Sequence, residues 1–339
     1  MTHDLDEPWW EPGVRAVSPG VHRLALPLPL AGLPAVNCYA LETAGGLLLV
    51  DPGWASDDTR GALETGLAAI GGGLGDVAAV LVTHAHWDHL TMALTLRREG
   101  SFDLLLGAGE AESIAAYRED EGLYPRHVEL LRRCGAGPLG DRVRDKPPED
   151  YERGIVYSPP DGWISDGDTM ELLHGALVAR STPGHTHGHT VFDLPGGLML
   201  TGDHVLPIAS PAVGNETVPV ANPLRDYMAS LERLTLLPDR VMLPAHGPVG
   251  GSVHRRCREL LHHHEERLEE ILLHVRSGPV SAADVASRMH WTRRALSLAE
   301  LDVIHQMTAV LEVEAHLVVL EERHEVVASA QTGTRVYAG

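Results

Sequence analysis

Four places in this chain set histidine or aspartate directly behind a short apolar run. The densest is His84-Ala85-His86-Trp87-Asp88-His89, behind residues 77–82; the others are His185, Asp203 and His246, behind residues 177–181, 198–201 and 241–243. Apolar runs of that length read as buried strands, and the loops at strand ends are where separate parts of a layered fold meet at one site. Imidazole nitrogen and carboxylate oxygen suit zinc and iron. A carboxylate that bridges two such cations holds them about 3.5–4 Å apart. Alternate residues of an extended segment face the same way, so His84 and His86 can address one cation while Asp88 and His89 turn toward a second. Because it follows a strand, the 84–89 segment is expected as a tight loop and not as a helix. A chance histidine-rich loop is the competing reading; recurrence of the same residue types at later strand ends argues against it.

The elements that present these residues follow from periodicity. Residues 14–26 alternate loosely and read as an edge strand turned at Pro19-Gly20, and 37–42 and 47–50 as two strands joined at Gly45-Gly46. Leu63, Leu67 and Ile70 share one face of a helix over 59–70. Beyond the strand at 77–82, a helix is expected over 90–98 and a strand over 102–106. Residues 163–173 read as a turn and strand, 190–194 and 198–201 as a hairpin, 224–236 as a helix and 241–243 as a strand. Such alternation argues for sheets with helices on their outer faces. Residues 107–160 interrupt it: 111–117 and 127–133 look helical, and 135–153, rich in Gly, Pro and charge, reads as a long loop. This insertion either shapes the site or is a surface excursion without a role.

Residues 252–276 form the longest amphipathic helix; of His262, His263 and His264, the last falls on the apolar face and is expected to be packed there. Helices over 281–289, 298–304 and 308–320 and a hairpin at 325–329 and 334–337 then trace a winged-helix outline. The expected organisation is a catalytic domain over 14–250 and a small winged-helix-like domain over 251–339.

With 27 basic against 47 acidic residues the formal net charge is -20, which disfavours a broad nucleic-acid surface without excluding a local basic groove. Three scattered cysteines, Cys38, Cys134 and Cys257, make neither a disulfide framework nor a thiolate metal site. No apolar run is read as approaching the roughly 20 residues that span a bilayer. Met1 to Pro12 is acidic and lacks a secretory pattern, so a cytoplasmic location is expected. There is no Gly-rich phosphate loop and no dinucleotide fingerprint.

The segment Thr83-His84-Ala85-His86-Trp87-Asp88-His89 resembles the signature of the metallo-β-lactamase superfamily, and Pro183-Gly184-His185-Thr186, Gly202-Asp203-His204 and Pro244-Ala245-His246-Gly247 follow in that family's order. The resemblance covers residues 14–250. It implies an α/β fold, the αββα sandwich, with two divalent metal ions at one edge. By the same resemblance His84, His86 and His185 hold the first metal, Asp88, His89 and His246 the second, and Asp203 bridges them. Zinc is the default, with iron or manganese in relatives. Asp51 resembles the residue that orients a ligand histidine, and His189 a further histidine near the metals. His187 departs from the pattern, standing where relatives often have proline; it is either a substrate contact or exposed. Trp54 borders the entrance, Trp87 either lines the pocket or packs beneath the ligands, and His204 supports the site without binding metal. The region after 250 is similar to the winged-helix domain of the β-lactamase-like protein 2 branch, through its helix order and Glu314-Ala315-His316-Leu317.

The chemistry implied is hydrolysis of a thioester, ester or lactone by a metal-bound hydroxide that Asp88 helps to orient, with a small-molecule acyl substrate. A single-stranded RNA endonuclease is the alternative that the tail suggests. Residues 252–339, however, hold 10 Arg against 13 Asp and Glu, a net of -3, where a wing that grips phosphates needs a basic excess. Neither nucleic acid nor membrane is therefore expected as a partner, and the tail is read as a packing, dimerising or pocket-shaping element. A non-enzymatic metal-binding regulator whose wing reads DNA is the third reading. A complete two-metal ligand set stands against it, because a structural site needs one closed shell.

Overall fold

The fold is that of a computed structural model, which describes residues 8–30, 32–117, 124–149, 153–292 and 294–339. The acidic start at residues 1–7, residues 118–123 of the insertion and residues 150–152 of the expected loop lie outside the described residues.

Among the described residues, seven strands form one sheet in the order of the chain: β1 (Gly13–Ser18), β2 (Val21–Leu30), β3 (Leu33–Thr43), β4 (Gly46–Val50), β5 (Val77–Val82), β6 (Asp103–Gly107) and β7 (Gly162–Ile164). The first four pair antiparallel and the last four parallel. A second sheet holds β8 (Thr169–Leu172), β9 (Gly175–Ser181), β10 (Thr190–Leu194), β11 (Leu198–Gly202) and β12 (Val241–Pro244), with β11 and β12 parallel. Tyr39, Leu41 and Leu81 of the first sheet meet Phe192, Leu200 and Leu243 of the second in a buried layer. Helices α1 (Asp57–Ala69) and α2 (Trp87–Leu96) cover the outer face of the first sheet. Helices α6 (Pro223–Leu236) and α7 (Val253–Arg276) cover that of the second, which completes the αββα layers.

Capping explains where the helices begin. Ser56 accepts the Thr59 N–H, with Asp57 and Asp58 in the first turn, so α1 starts two residues before the periodic pattern does. His86 is the residue before α2, which opens at Trp87. This corrects the expectation of a tight loop over 84–89 and a helix from 90. An acid in the first turn suits the positive end of a helix, and Asp88 stands there; the Thr91 hydroxyl donates to the Trp87 carbonyl at 2.6 Å.

The insertion contains α3 (Ala111–Tyr117), α4 (Pro125–Arg133) and α5 (Gly137–Arg144). The last corrects the reading of 135–153 as loop throughout. Pro138 falls in the first turn, where a missing N–H costs nothing, and Leu139 and Val143, one turn apart, are buried. Beyond α7 come α8 (Ala282–Ala286), a 3-10 turn (Leu298–Glu300), α9 (Val303–Glu322) and the hairpin β13 (Val327–Gln331)–β14 (Thr334–Ala338). The two helices expected over 298–304 and 308–320 are thus one helix behind a 3-10 turn, capped by Asp302, whose side chain accepts the Ile304 and His305 N–H groups.

α9 also corrects the statement about apolar runs. Its 20 residues are long and apolar enough by length and composition to cross a membrane, although 67% of the most apolar window is buried inside the protein. Glu312, Glu314 and His316 interrupt the run as written, which hides its average character. Leu131 of α4, Val143 of α5, Leu231 of α6, Leu268 of α7 and Leu317 of α9 all belong to one buried cluster. The core is therefore continuous across residue 250. Leu317→Ala, which empties a fully buried position of that cluster, should cost about 2–5 kcal/mol. It should lower the midpoint of a single cooperative denaturant transition; two separate transitions would show that the C-terminal region has a core of its own.

Candidate metal centre

The turns behind β5, β9, β11 and β12 meet at one edge of the sandwich, and all seven expected ligands lie there. Among the described residues, three sets have donor atoms within 4.8 Å of one another: His84, His86 and His185; His84, His89 and Asp203; Asp88, His89 and His246. His86 Nδ1 lies 2.8 Å from His84 Nε2 and 3.2 Å from His185 Nε2. His246 Nε2 lies 3.2 Å from Asp88 Oδ2 and 3.5 Å from Asp203 Oδ1. Asp203 reaches both sides, with 3.8 Å to His89 Nε2 and 3.8 Å to His185 Nε2.

Partners on the far side of each ring decide which nitrogen faces inward. His185 Nδ1 donates to the Ala212 carbonyl at 2.9 Å and His246 Nδ1 to the Ala35 carbonyl at 2.8 Å. A carbonyl only accepts, so Nδ1 of each ring carries a proton and Nε2 is the nitrogen turned into the site. At His89, Asp51 Oδ2 stands 3.0 Å from Nδ1. Asp51 also accepts the N–H and the hydroxyl of Thr83, both at 2.8 Å. With its proton so engaged, Thr83 Oγ1 accepts from His84 Nδ1 at 3.0 Å. Asp51 thus orients His89 directly and His84 through Thr83. It does so at φ 54°, a left-handed conformation that Asp tolerates better than most residues and that is characteristic of functional turns.

The donor set fits divalent cations. His84 Nε2 and His185 Nε2 both face His86 Nδ1, which can donate to one of them at most, and His89 Nε2 and Asp203 Oδ1 are buried without a hydrogen bond. Atoms in that state cost about 1–3 kcal/mol each unless something coordinates them. Burial pushes His84 and His86 well below the ordinary imidazole range and lowers His185, so these rings are neutral. At His89 burial is outweighed by the carboxylates of Asp88, Asp51 and Asp203, which push it up to about 10. One side of the site is thus an all-imidazole pocket, and the other carries the negative charge that a dication neutralises.

His189 stands beside the cluster without turning a lone pair into it. Its Nε2 accepts the Asp203 N–H at 3.2 Å and its Nδ1 is 2.9 Å from Thr182 Oγ1. Gly202 makes room for this ring: at φ 51°, a Cβ there would stand 2.6 Å from His189 Nε2. His187 is exposed. Trp54 and Trp87 are half-buried and meet edge to face at 6.0 Å beside the ligand turn. His204 is buried against Tyr227 at 4.7 Å, and ring contacts run on through Tyr227–His264 at 5.4 Å to His264–His316 at 5.2 Å, deep between α7 and α9. Two buried acids at the site follow no strand-end motif and were not anticipated. Burial pushes Glu110 up to about 7 and Glu216 up to about 8. The sequence signal for Glu110 is the preceding Gly107-Ala108-Gly109, which permits close backbone approach.

Residues 31–246 match the family model described as the metallo-beta-lactamase superfamily. The probable metallo-hydrolase YqjP of Bacillus subtilis is 27% identical over 93% of this chain and 96% of its own length. The beta-lactamase-like protein 2 homolog of Caenorhabditis elegans is 25% identical over 80% of this chain and 78% of its own. An atrochrysone carboxyl ACP thioesterase of Aspergillus fumigatus is 29% identical over 65% of this chain and 39% of its own. A metallo-beta-lactamase family protein of Thermus thermophilus has a solved structure with a TM-score of 0.78 at 30% identity, covering 95% of this chain and 99% of that one. At that coverage the likeness includes most of the region after residue 250.

Asp51→Asn keeps the shape of the brace but removes the charge behind His89. It should weaken metal binding about 10–100-fold, measured by competition with a chromogenic chelator; an unchanged affinity would reduce Asp51 to a turn residue. On the match over residues 31–246 and the His/Asp cluster at the sandwich edge, this chain belongs to the metallo-beta-lactamase superfamily and is a metallo-hydrolase.

Proposed function

We propose that the protein hydrolyses a thioester, ester or lactone of a small acyl substrate at two zinc ions. His84, His86 and His185 would hold one ion, Asp88, His89 and His246 the other, and Asp203 would serve both. The observation that carries this reading is overlap: His84 and His89 each belong to two of the three donor sets, so the set containing Asp203 joins the outer two. Two divalent cations bound there supply Lewis acidity toward a carbonyl oxygen and lower the pKa of a bound water from about 15.7 toward about 7.

The chain's own residues supply orientation. Asp88 presents Oδ2 to the second side, 3.2 Å from His246 Nε2 and 3.6 Å from His89 Nε2, where it could accept a hydrogen bond and direct the attack. Trp54 and Trp87 give the ligand turn an apolar wall that suits an acyl group. The relative named as a thioesterase supports an acyl thioester. The order of α7, the bridge between Val280 and Tyr337, α8, α9 and the hairpin supports a winged helix after residue 250. Its net charge of -3 over residues 252–339 favours packing or dimerisation over phosphate binding. Three buried cysteines without a disulfide go with a cytoplasmic setting.

Purified protein reloaded with zinc, manganese or iron should turn over members of an acyl-thioester, ester and lactone panel. His86→Ala should lower kcat/KM at least about 100-fold, because partners behind a ligand are already worth 10–100-fold. Cleavage of single-stranded RNA at low salt that vanishes in the same variant, with no turnover on the acyl panel, would replace this reading with a nuclease.

A further inference from the structure

The loop that carries His185 is gripped by two carboxylates from outside every ligand motif. We propose that Glu110 and Glu216 are positioning residues that clamp residues 186–188 and so set His185 against His84 and His86, which decides whether the all-imidazole pocket closes on its cation. The inference rests on the two-metal reading above.

Glu110 is fully buried. Its Oε1 accepts the Thr186 hydroxyl at 2.5 Å, while Oε2 is buried without a hydrogen bond. Thr186 follows His185, so this acid holds the segment that supplies one nitrogen of the pocket. Glu216, from the segment between β11 and α6, takes the His187 N–H at 2.7 Å. Backbone approach is equally close. A Cβ on Gly107 would stand 2.1 Å from the Gly188 oxygen, and one on Gly188 would stand 2.2 Å from the Glu110 nitrogen. The turn behind β6 thus lies flush against the His185 loop, with no side chain able to intervene.

Removing a buried acid leaves its donors unpaired. At Glu110 that donor is the Thr186 hydroxyl and at Glu216 the His187 N–H, both in the His185 loop. On the opposite side of the centre Asp51 stands behind His89 and the Ala35 carbonyl behind His246; Asp51 also reaches His84 through Thr83, whereas the two glutamates touch only the His185 loop. Among the described residues, neither Glu110 nor Glu216 is hydrogen-bonded to Asp88, His89 or His246. Loss of the clamp should consequently loosen one metal position and spare the other.

The test compares the full-length wild type with Glu110→Ala, Glu110→Gln and Glu216→Gln. Metal retained after limited chelation is counted by elemental analysis, and metal-free protein is titrated with cobalt(II) while its visible absorption is followed. His86→Ala and His246→Ala serve as references for loss of one side or the other. Wild type should retain two ions. Glu110→Ala should retain one, with one cobalt event weakened about 10–100-fold and a residual spectrum like that of His86→Ala. Glu110→Gln and Glu216→Gln, each keeping one accepting oxygen, should fall between. Should Glu110→Ala misfold, Glu110→Gln carries the test alone. Two ions held at wild-type affinity by the glutamate variants would overturn the clamp, as would equal weakening of both events with a lower unfolding midpoint. A wild type that holds fewer than two ions would instead overturn the two-metal reading itself.

Discussion

A buried edge offers crowded imidazoles little water to satisfy them. His84 Nε2 and His185 Nε2 both face His86 Nδ1, at 2.8 and 3.2 Å, and that nitrogen can donate to one of them at most. One imidazole lone pair at least therefore faces the cluster without a donor. The rings around His86 keep this arrangement because groups that only that backbone path can deliver hold them from behind. The Ala35 and Ala212 carbonyls, the Asp51 carboxylate and the Thr83 hydroxyl come from four different stretches of chain. Parallel pairing of β4 with β5 and of β11 with β12 brings the ends of those strands to one edge. The fold can be understood as a frame that holds an electrostatically unfavourable arrangement open for cations.

Much of that frame is legible in residue order because strand ends and ligands are local to one another. The apolar run 77–82 and the donors behind it are both read within about a dozen residues, so β5 and the cluster it delivers emerge together. Where the decisive contact is distant, local reading fails. Asp88 and His89 are helical because α2 begins without a spacer. Gly137 and Pro138 open a helix because Leu139 and Val143 have a distant apolar surface to bury against. Glu110 bonds Thr186 across 76 positions, and nothing in its neighbourhood announces that partner. His189 illustrates the intermediate case. Its place near the cluster is readable, but its role in holding the Asp203 backbone depends on the space left by Gly202.

The region after residue 250 contributes to the same frame. α6 covers the second sheet with one face and meets α7 and α9 with another, and the insertion helices α4 and α5 join that cluster. Elements on opposite sides of the boundary therefore bury one another's apolar surface.

The rings that lead from His189 through His204, Tyr227 and His264 to His316 have a consequence of their own. Successive ring centroids lie 4.7–5.5 Å apart, and His264 Nδ1 meets His316 Nε2 at 3.2 Å, yet the hydrogen bonds stop short of the metal edge. Tyr227 gives its proton to the His204 carbonyl and not to a ring nitrogen, and both His204 nitrogens are unbonded. A proton shared by the two far histidines therefore has no hydrogen-bonded path along this column to Asp203.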